Sequence, residues 1–140
     1  MSYENIRKRL IEDEGEVLYA YPDHLGYITI GVGRLIDERR GGGISHEEAM
    51  MLLDNDITAR ISQLDGVAGF SSFPEPVQEA LVNMCFQLGF SGLLLFKKMW
   101  AKLRNGDWSG AADEALDSRW AKQTPNRANR IADLIRSAED

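Results

Sequence analysis

Two carboxylates and a hydroxyl stand at a spacing that can do chemistry. Eight residues separate Glu14 from Asp23, and five separate Asp23 from Thr29. All three lie in one run, Glu-Gly-Glu-Val-Leu-Tyr-Ala-Tyr-Pro-Asp-His-Leu-Gly-Tyr-Ile-Thr-Ile-Gly-Val-Gly, which ends at Gly33. Two acids on different elements can face each other across a cleft. Cleavage of a glycosidic bond uses that arrangement: one acid protonates the leaving oxygen, and the other orients a water or attacks the sugar carbon. The pair alone is a weak signal, because the chain has 22 acidic residues. Taken singly, Glu14 reads as a solvated surface acid, Asp23 as a turn residue capping backbone amides, and Thr29 as an ordinary strand residue.

The elements that must hold these groups follow from the patterning. Residues 3–13 predict a helix, with Ile6, Leu10 and Ile11 near one face and Gly15 as its stop. Glu14 then sits at a helix C-terminus, where the dipole disfavours a negative charge and raises a carboxyl pKa. A general acid benefits from that. Val17 to Leu35 alternates and is rich in Tyr, Ile, Val and Thr, which predicts two or three short antiparallel strands turning at Pro22 to Gly26. Arg39-Arg40-Gly41-Gly42-Gly43 reads as a flexible connection. Ser45 and Glu48 form a capping-box pattern that opens a helix running to about residue 64. Gly69 to Pro76 is a turn-rich join. Beyond it lie predicted helices 76–88, stopped by Gly89, and 93–103, an apolar run ended by Asn105-Gly106. A further helix is capped by Asp107, and a last one starts at Thr124-Pro125 and reaches about Ala138.

Longer blocks resemble a known family, the phage-type lysozymes and endolysins. Its catalytic pattern of Glu, eight residues, Asp, five residues, Thr is met by Glu14, Asp23 and Thr29. Asp13-Glu14-Gly15 and Gly26 to Gly33 fit as well, as do Asn83 to Gly89, Ser118-Arg119-Trp120 and Gln123 to Ala128. The blocks keep the family's order over nearly the whole chain.

The resemblance implies an α+β, mostly α, lysozyme-like fold of two lobes within one catalytic domain, residues 1–140. It places a small sheet lobe at about 14–45, a linking helix at about 46–65, and a helical lobe at about 74–138 with helix 3–13 packed against it. It implies hydrolysis, with inversion, of the β-1,4 bond between N-acetylmuramic acid and N-acetylglucosamine. Glu14 would be the acid, and Asp23 with Thr29 would position the water. A carboxylate separation of roughly 6.5–9.5 Å fits inversion. Leu35 and Phe86 would line the saccharide groove, one from each lobe. Two further substrate positions fall on Met99 and Glu114, where the family has small or amide side chains. Arg127 would meet Glu14 and lower its pKa, opposing the dipole. Arg34 stands where the family usually has His, and we expect it to form a salt bridge to Asp56.

Composition bounds the rest. The chain has 140 residues, ordinary globular composition and net charge −6. Residues 1–70 hold 7 basic and 13 acidic groups, and the second half 9 of each, so no basic stripe points to nucleic acid. An acidic chain has little long-range attraction to a polyanionic wall. One cysteine, Cys85, excludes an intramolecular disulfide and reads as a buried thiol in an apolar helix. His24 and His46 read as exposed turn and helix-start residues, and no cofactor or metal pattern is visible. Trp100, Trp108 and Trp120 read as core rather than sugar platforms. The N-terminal residues show no apolar signal segment. We therefore expect the chain to stay in the host cytoplasm without stable membrane association; the resemblance implies a separate membrane-permeabilising protein that releases it to peptidoglycan, and a monomer is the default expectation. The rival readings are a wall-binding module with little turnover, a transglycosylase cutting the same bond without net water, and a plain helical scaffold.

Overall fold

A computed structural model describes residues 1–139. The chain divides into two compact units, Met1–Met51 and Leu52–Asp140.

In the first unit, helix α1 (Tyr3–Glu14) starts at Ser2, whose hydroxyl accepts from the Asn5 N–H at 3.2 Å. It ends at Gly15, whose N–H reaches the Ile11 carbonyl at 2.9 Å. Glu14 is thus the last residue of the helix. Three strands follow, β1 (Val17–Pro22), β2 (Ile28–Gly31) and β3 (Arg34–Leu35), in an antiparallel sheet of order β1-β2-β3. The central strand puts Thr29 opposite Tyr21 on one side and Leu35 on the other. The register shifts between Val17 and Tyr21, so β1 is irregular along its middle.

Helix α2 (His46–Asp65) begins in the first unit, and the boundary at Met51 falls inside it. The capping box forms as expected. The Glu48 N–H donates to Ser45 Oγ at 3.1 Å, and the Ser45 N–H to Glu48 Oε1 at 2.9 Å.

The second unit holds the apolar core. Helix α3 (Glu75–Leu94) carries Val77, Ala80, Leu81, Met84 and Cys85 inward. Gly89 interrupts it with φ 77°, ψ 161°, a conformation that favours glycine, and helical geometry resumes for one more turn. The apolar run expected to be one helix over 93–103 is broken instead. Leu93 and Leu94 finish α3, and α4 (Lys97–Arg104) starts after a bend of 99°. Tertiary contacts explain the bend. The Trp100 indole N–H donates to the Leu93 carbonyl at 3.1 Å, and the Phe96 ring meets Trp120 edge-on at 6.0 Å.

Helix α5 (Trp108–Leu116) is capped by Asp107, and α7 (Pro125–Arg136) starts with proline at its first turn. Between them, α6 (Arg119–Gln123) was not expected; five residues show no periodicity, and the Ser118 cap is its one signal. Cys85, Trp100 and Trp120 are buried, as expected, and burial pushes the Cys85 thiol pKa up. Among the described residues, no single helix is long and apolar enough to cross a membrane.

Candidate active site

Asp23 is held by the turn that it starts. Its Oδ1 accepts from the Leu25 N–H at 2.9 Å and the Tyr27 N–H at 2.8 Å. Its own N–H donates to the Tyr27 carbonyl at 2.8 Å, and its carbonyl accepts from Gly26 at 2.9 Å. Backbone donors on a carboxylate fix its orientation. Among the described residues the other oxygen, Oδ2, has no such partner and is open to a substrate or a water.

Thr29 is 5 % exposed, and its Oγ1 donates to the Tyr27 carbonyl at 3.0 Å. With its proton committed there, the hydroxyl presents lone pairs, so it can accept from a water. The Asp23 carboxylate and the Thr29 hydroxyl are therefore tied to one peptide unit on each side of Tyr27. Sequence reading passed over Tyr27, because a backbone role leaves no residue-type signal.

Glu14 is exposed and lies against the turn joining β2 to β3. A β-carbon at Gly33 would stand 2.9 Å from Glu14 Oε2 and 3.0 Å from its Cδ, and Gly33 has φ 68°. The close approach of the carboxylate and the left-handed backbone both call for glycine there. In the sequence the signal is the glycine pair of Gly31-Val32-Gly33.

Arg34 is paired differently from expectation. Its Nη1 lies 2.7 Å from both Glu48 oxygens, and it also reaches the Gly43 carbonyl at 3.5 Å. Glu48, brought there by the capping box, takes the cation where Asp56 was expected to. The hydrogen bond from Arg34, and then that from Ser45, bring the Glu48 carboxyl from its ordinary 4.5 down to about 2. Asp56 lies further along α2, in the second unit.

Within the second unit, Phe86 and Arg127 share a cavity of about 520 Å³ with Leu53, Ile57, Val82 and Asn83. Arg127 directs Nε and Nη2 to Asn83 Oδ1, at 3.0 and 2.8 Å. Phe86 is 44 % exposed, so part of its ring is open to solvent. Met99 and Glu114 line a second cavity, of about 650 Å³. Met99 is 1 % exposed, so it offers an apolar floor and no hydrogen bond. Leu35 is half-buried in β3, beside Thr29. The structure thus groups Glu14, Asp23, Thr29, Leu35 and Arg34 on one unit. On the other it pairs Phe86 with Arg127 and Met99 with Glu114.

Comparison with known proteins adds an independent line. A family model described as phage lysozyme matches residues 11–138. The chain is 29% identical over 158 aligned positions to a probable T4-type lysozyme 1 of Dictyostelium discoideum, covering 94% of this chain and 93% of that protein. It is 30% identical to the pre-baseplate central spike protein Gp5 of Enterobacteria phage T4, over 94% of this chain but 27% of the spike. It is 32% identical to the SAR-endolysin of Escherichia phage Mu, over 84% of this chain and 66% of that protein.

Proposed function

This chain belongs to the phage lysozyme family, and from that premise we propose that Glu14, Asp23 and Thr29 are its catalytic residues. The family makes it a muramidase with peptidoglycan as substrate. In the mechanism we propose, the Glu14 carboxyl gives its proton to the glycosidic oxygen as the bond to the N-acetylmuramic acid carbon breaks. A water held between Asp23 Oδ2 and Thr29 Oγ1 attacks that carbon from the opposite face, its proton passing to Asp23. The products are a free reducing N-acetylmuramic acid and the released N-acetylglucosamine hydroxyl, with configuration inverted.

The observation that supports this reading most strongly is the double use of the Tyr27 peptide groups. Two backbone donors on Asp23 Oδ1 fix its carboxylate, and the spent Thr29 proton leaves that oxygen able to accept. Both features suit a water site better than a bare sugar-binding surface.

Product analysis tests it. Wild type and Asp23→Asn are incubated with purified peptidoglycan, and the fragments are weighed by mass spectrometry. Hydrolysis gives hydrated muramic ends and a loss of about 10²-fold or more in Asp23→Asn. Anhydro ends with a mild Asp23→Asn effect would replace the reading by a transglycosylase. Binding without fragments would replace it by a wall-binding module.

The biological role we propose is lysis of a bacterial host from within, supported by the likeness to a phage endolysin. The protein then waits in the cytoplasm for a separate membrane-permeabilising protein. Expression in a Gram-negative host should clear the culture only after the inner membrane is opened; clearing without that step contradicts the release model.

A further inference from the structure

The segment between β3 and α2, expected to be a flexible connection, is tied down. The Gly43 N–H donates to the Leu35 carbonyl at 3.1 Å, the Gly42 N–H to the Arg39 carbonyl at 2.8 Å, and the Ile36 N–H to the Ile28 carbonyl at 3.0 Å. Inside it, Asp37 grips Arg39 with both carboxylate oxygens. Oδ1 accepts from the Arg39 N–H at 3.0 Å and Oδ2 from Arg39 Nε at 2.8 Å, with Nη2 on the same oxygen. The gripped guanidinium stands 3.7 Å from the centroid of the Tyr27 ring. A guanidinium over an aromatic face is attracted by the ring quadrupole, and its planar shape suits stacking.

Tyr27 is the residue whose peptide groups hold Asp23 and Thr29. Tyr27 is partly exposed, at 37 %, and Arg39 covers one face of its ring. Arg39 holds the Asp37 carboxyl down at about 2, through its side-chain and then its backbone hydrogen bond. The hydrogen bond from Asp37 in turn raises the Arg39 pKa.

We propose that Arg39, locked by Asp37, is a positioning residue for the hydrolysis: by stacking on Tyr27 it fixes the peptide groups that aim Asp23 and Thr29 at the water. The inference rests on the catalytic reading given above. It deepens that reading by adding a residue that touches neither substrate nor water.

The test uses the full chain and soluble, uncrosslinked peptidoglycan strands. Arg39→Ala, Tyr27→Leu, the double variant and Tyr27→Phe are compared with wild type for kcat and KM. Amide hydrogen exchange is followed at Leu25, Tyr27 and, as a fold control, in α3. The expected result is a kcat about tenfold lower in Arg39→Ala and in Tyr27→Leu, with KM unchanged and no further loss in the double variant. Tyr27→Phe, which keeps the ring face, should recover most of what Tyr27→Leu loses. The Leu25 and Tyr27 amides should exchange faster in Arg39→Ala while α3 stays protected. A kcat within twofold of wild type, or a raised KM with kcat unchanged, overturns the proposal; the second outcome would make Arg39 a substrate-binding residue. Should Asp23→Asn be as active as wild type, the catalytic reading fails, and the two amides still report whether Arg39 orders the turn.

Discussion

The two units of this chain are held together in different ways. From Leu64 to Ile135, twenty-one hydrophobic residues are buried, and nine of the large ones are all but closed to solvent. From Met1 to Met51, among the described residues, the one buried residue is Thr29. The second unit is organised by burial of apolar surface. The first relies on backbone ladders, a capping box and two charge pairs, Arg34–Glu48 and Arg39–Asp37. The groups proposed to do chemistry lie on the sparsely packed unit, and the one side chain that it buries is the hydroxyl of the proposed water site. Stability and catalysis are thus separable here: substitutions in one unit should cost folding, and in the other they should cost turnover.

The sharpest break of that contrast lies in the core. Leu81 is fully buried in α3, and Leu81→Ala should destabilise the protein by about 2–5 kcal/mol. Leu18, 80 % exposed on β1, should lose no more than about 0.5 kcal/mol on change to Ala. Denaturant melts of the two variants check the pair; equal losses would mean that the first unit carries a core of its own. Next in size is Gly33→Ala. The new methyl meets the Glu14 carboxylate and is strained at φ 68°, so we expect kcat to fall about tenfold with about 1 kcal/mol or more lost in stability. A variant that loses stability alone would detach Glu14 from the Gly33 turn.

Ser45→Ala removes one half of the capping box and should cost about 1 kcal/mol, read from the melting temperature. The smallest effect is electrostatic. The folded Glu48 carboxyl sits at about 2, below its ordinary 4.5, so its stabilising contribution is complete above about 4.5 and is lost as pH falls towards 2. Melts of wild type and Glu48→Gln should differ at pH 6 and converge near pH 2. A difference that persists at the acid end would show that the Arg34 pair is not its source.

Much of this architecture was legible because its signals are local. Caps, glycine stops and β-branched alternation marked α1, the sheet, α2, α5 and the start of α7 within a residue or two. The spacing of Glu14, Asp23 and Thr29, read together with the longer blocks, singled out the candidate site. Four things were not legible, each for a physical reason. The apolar run around Leu93 to Leu103 carries a helical pattern throughout, and only the packing of Phe96 on Trp120 and the Trp100 bond to Leu93 break it. The partner of Arg34 depended on where the capping box left Glu48, a contact fourteen residues away. Tyr27 works through its peptide groups and Gly33 through the absence of a side chain, so neither residue type announces a role. Arg39 looked like linker because a stack on a ring twelve residues earlier has no sequence signature.

The proton that lets the glycosidic bond break is proposed to come from Glu14. Release of reducing ends from purified peptidoglycan, by wild type and by Glu14→Gln in parallel, tests it most directly. Glu14→Gln keeps the shape against Gly33 and removes the titrating proton. The account predicts release by the wild type and a rate at least about 10²-fold lower in the variant, with unchanged melting temperature. Equal rates from the two proteins would contradict it.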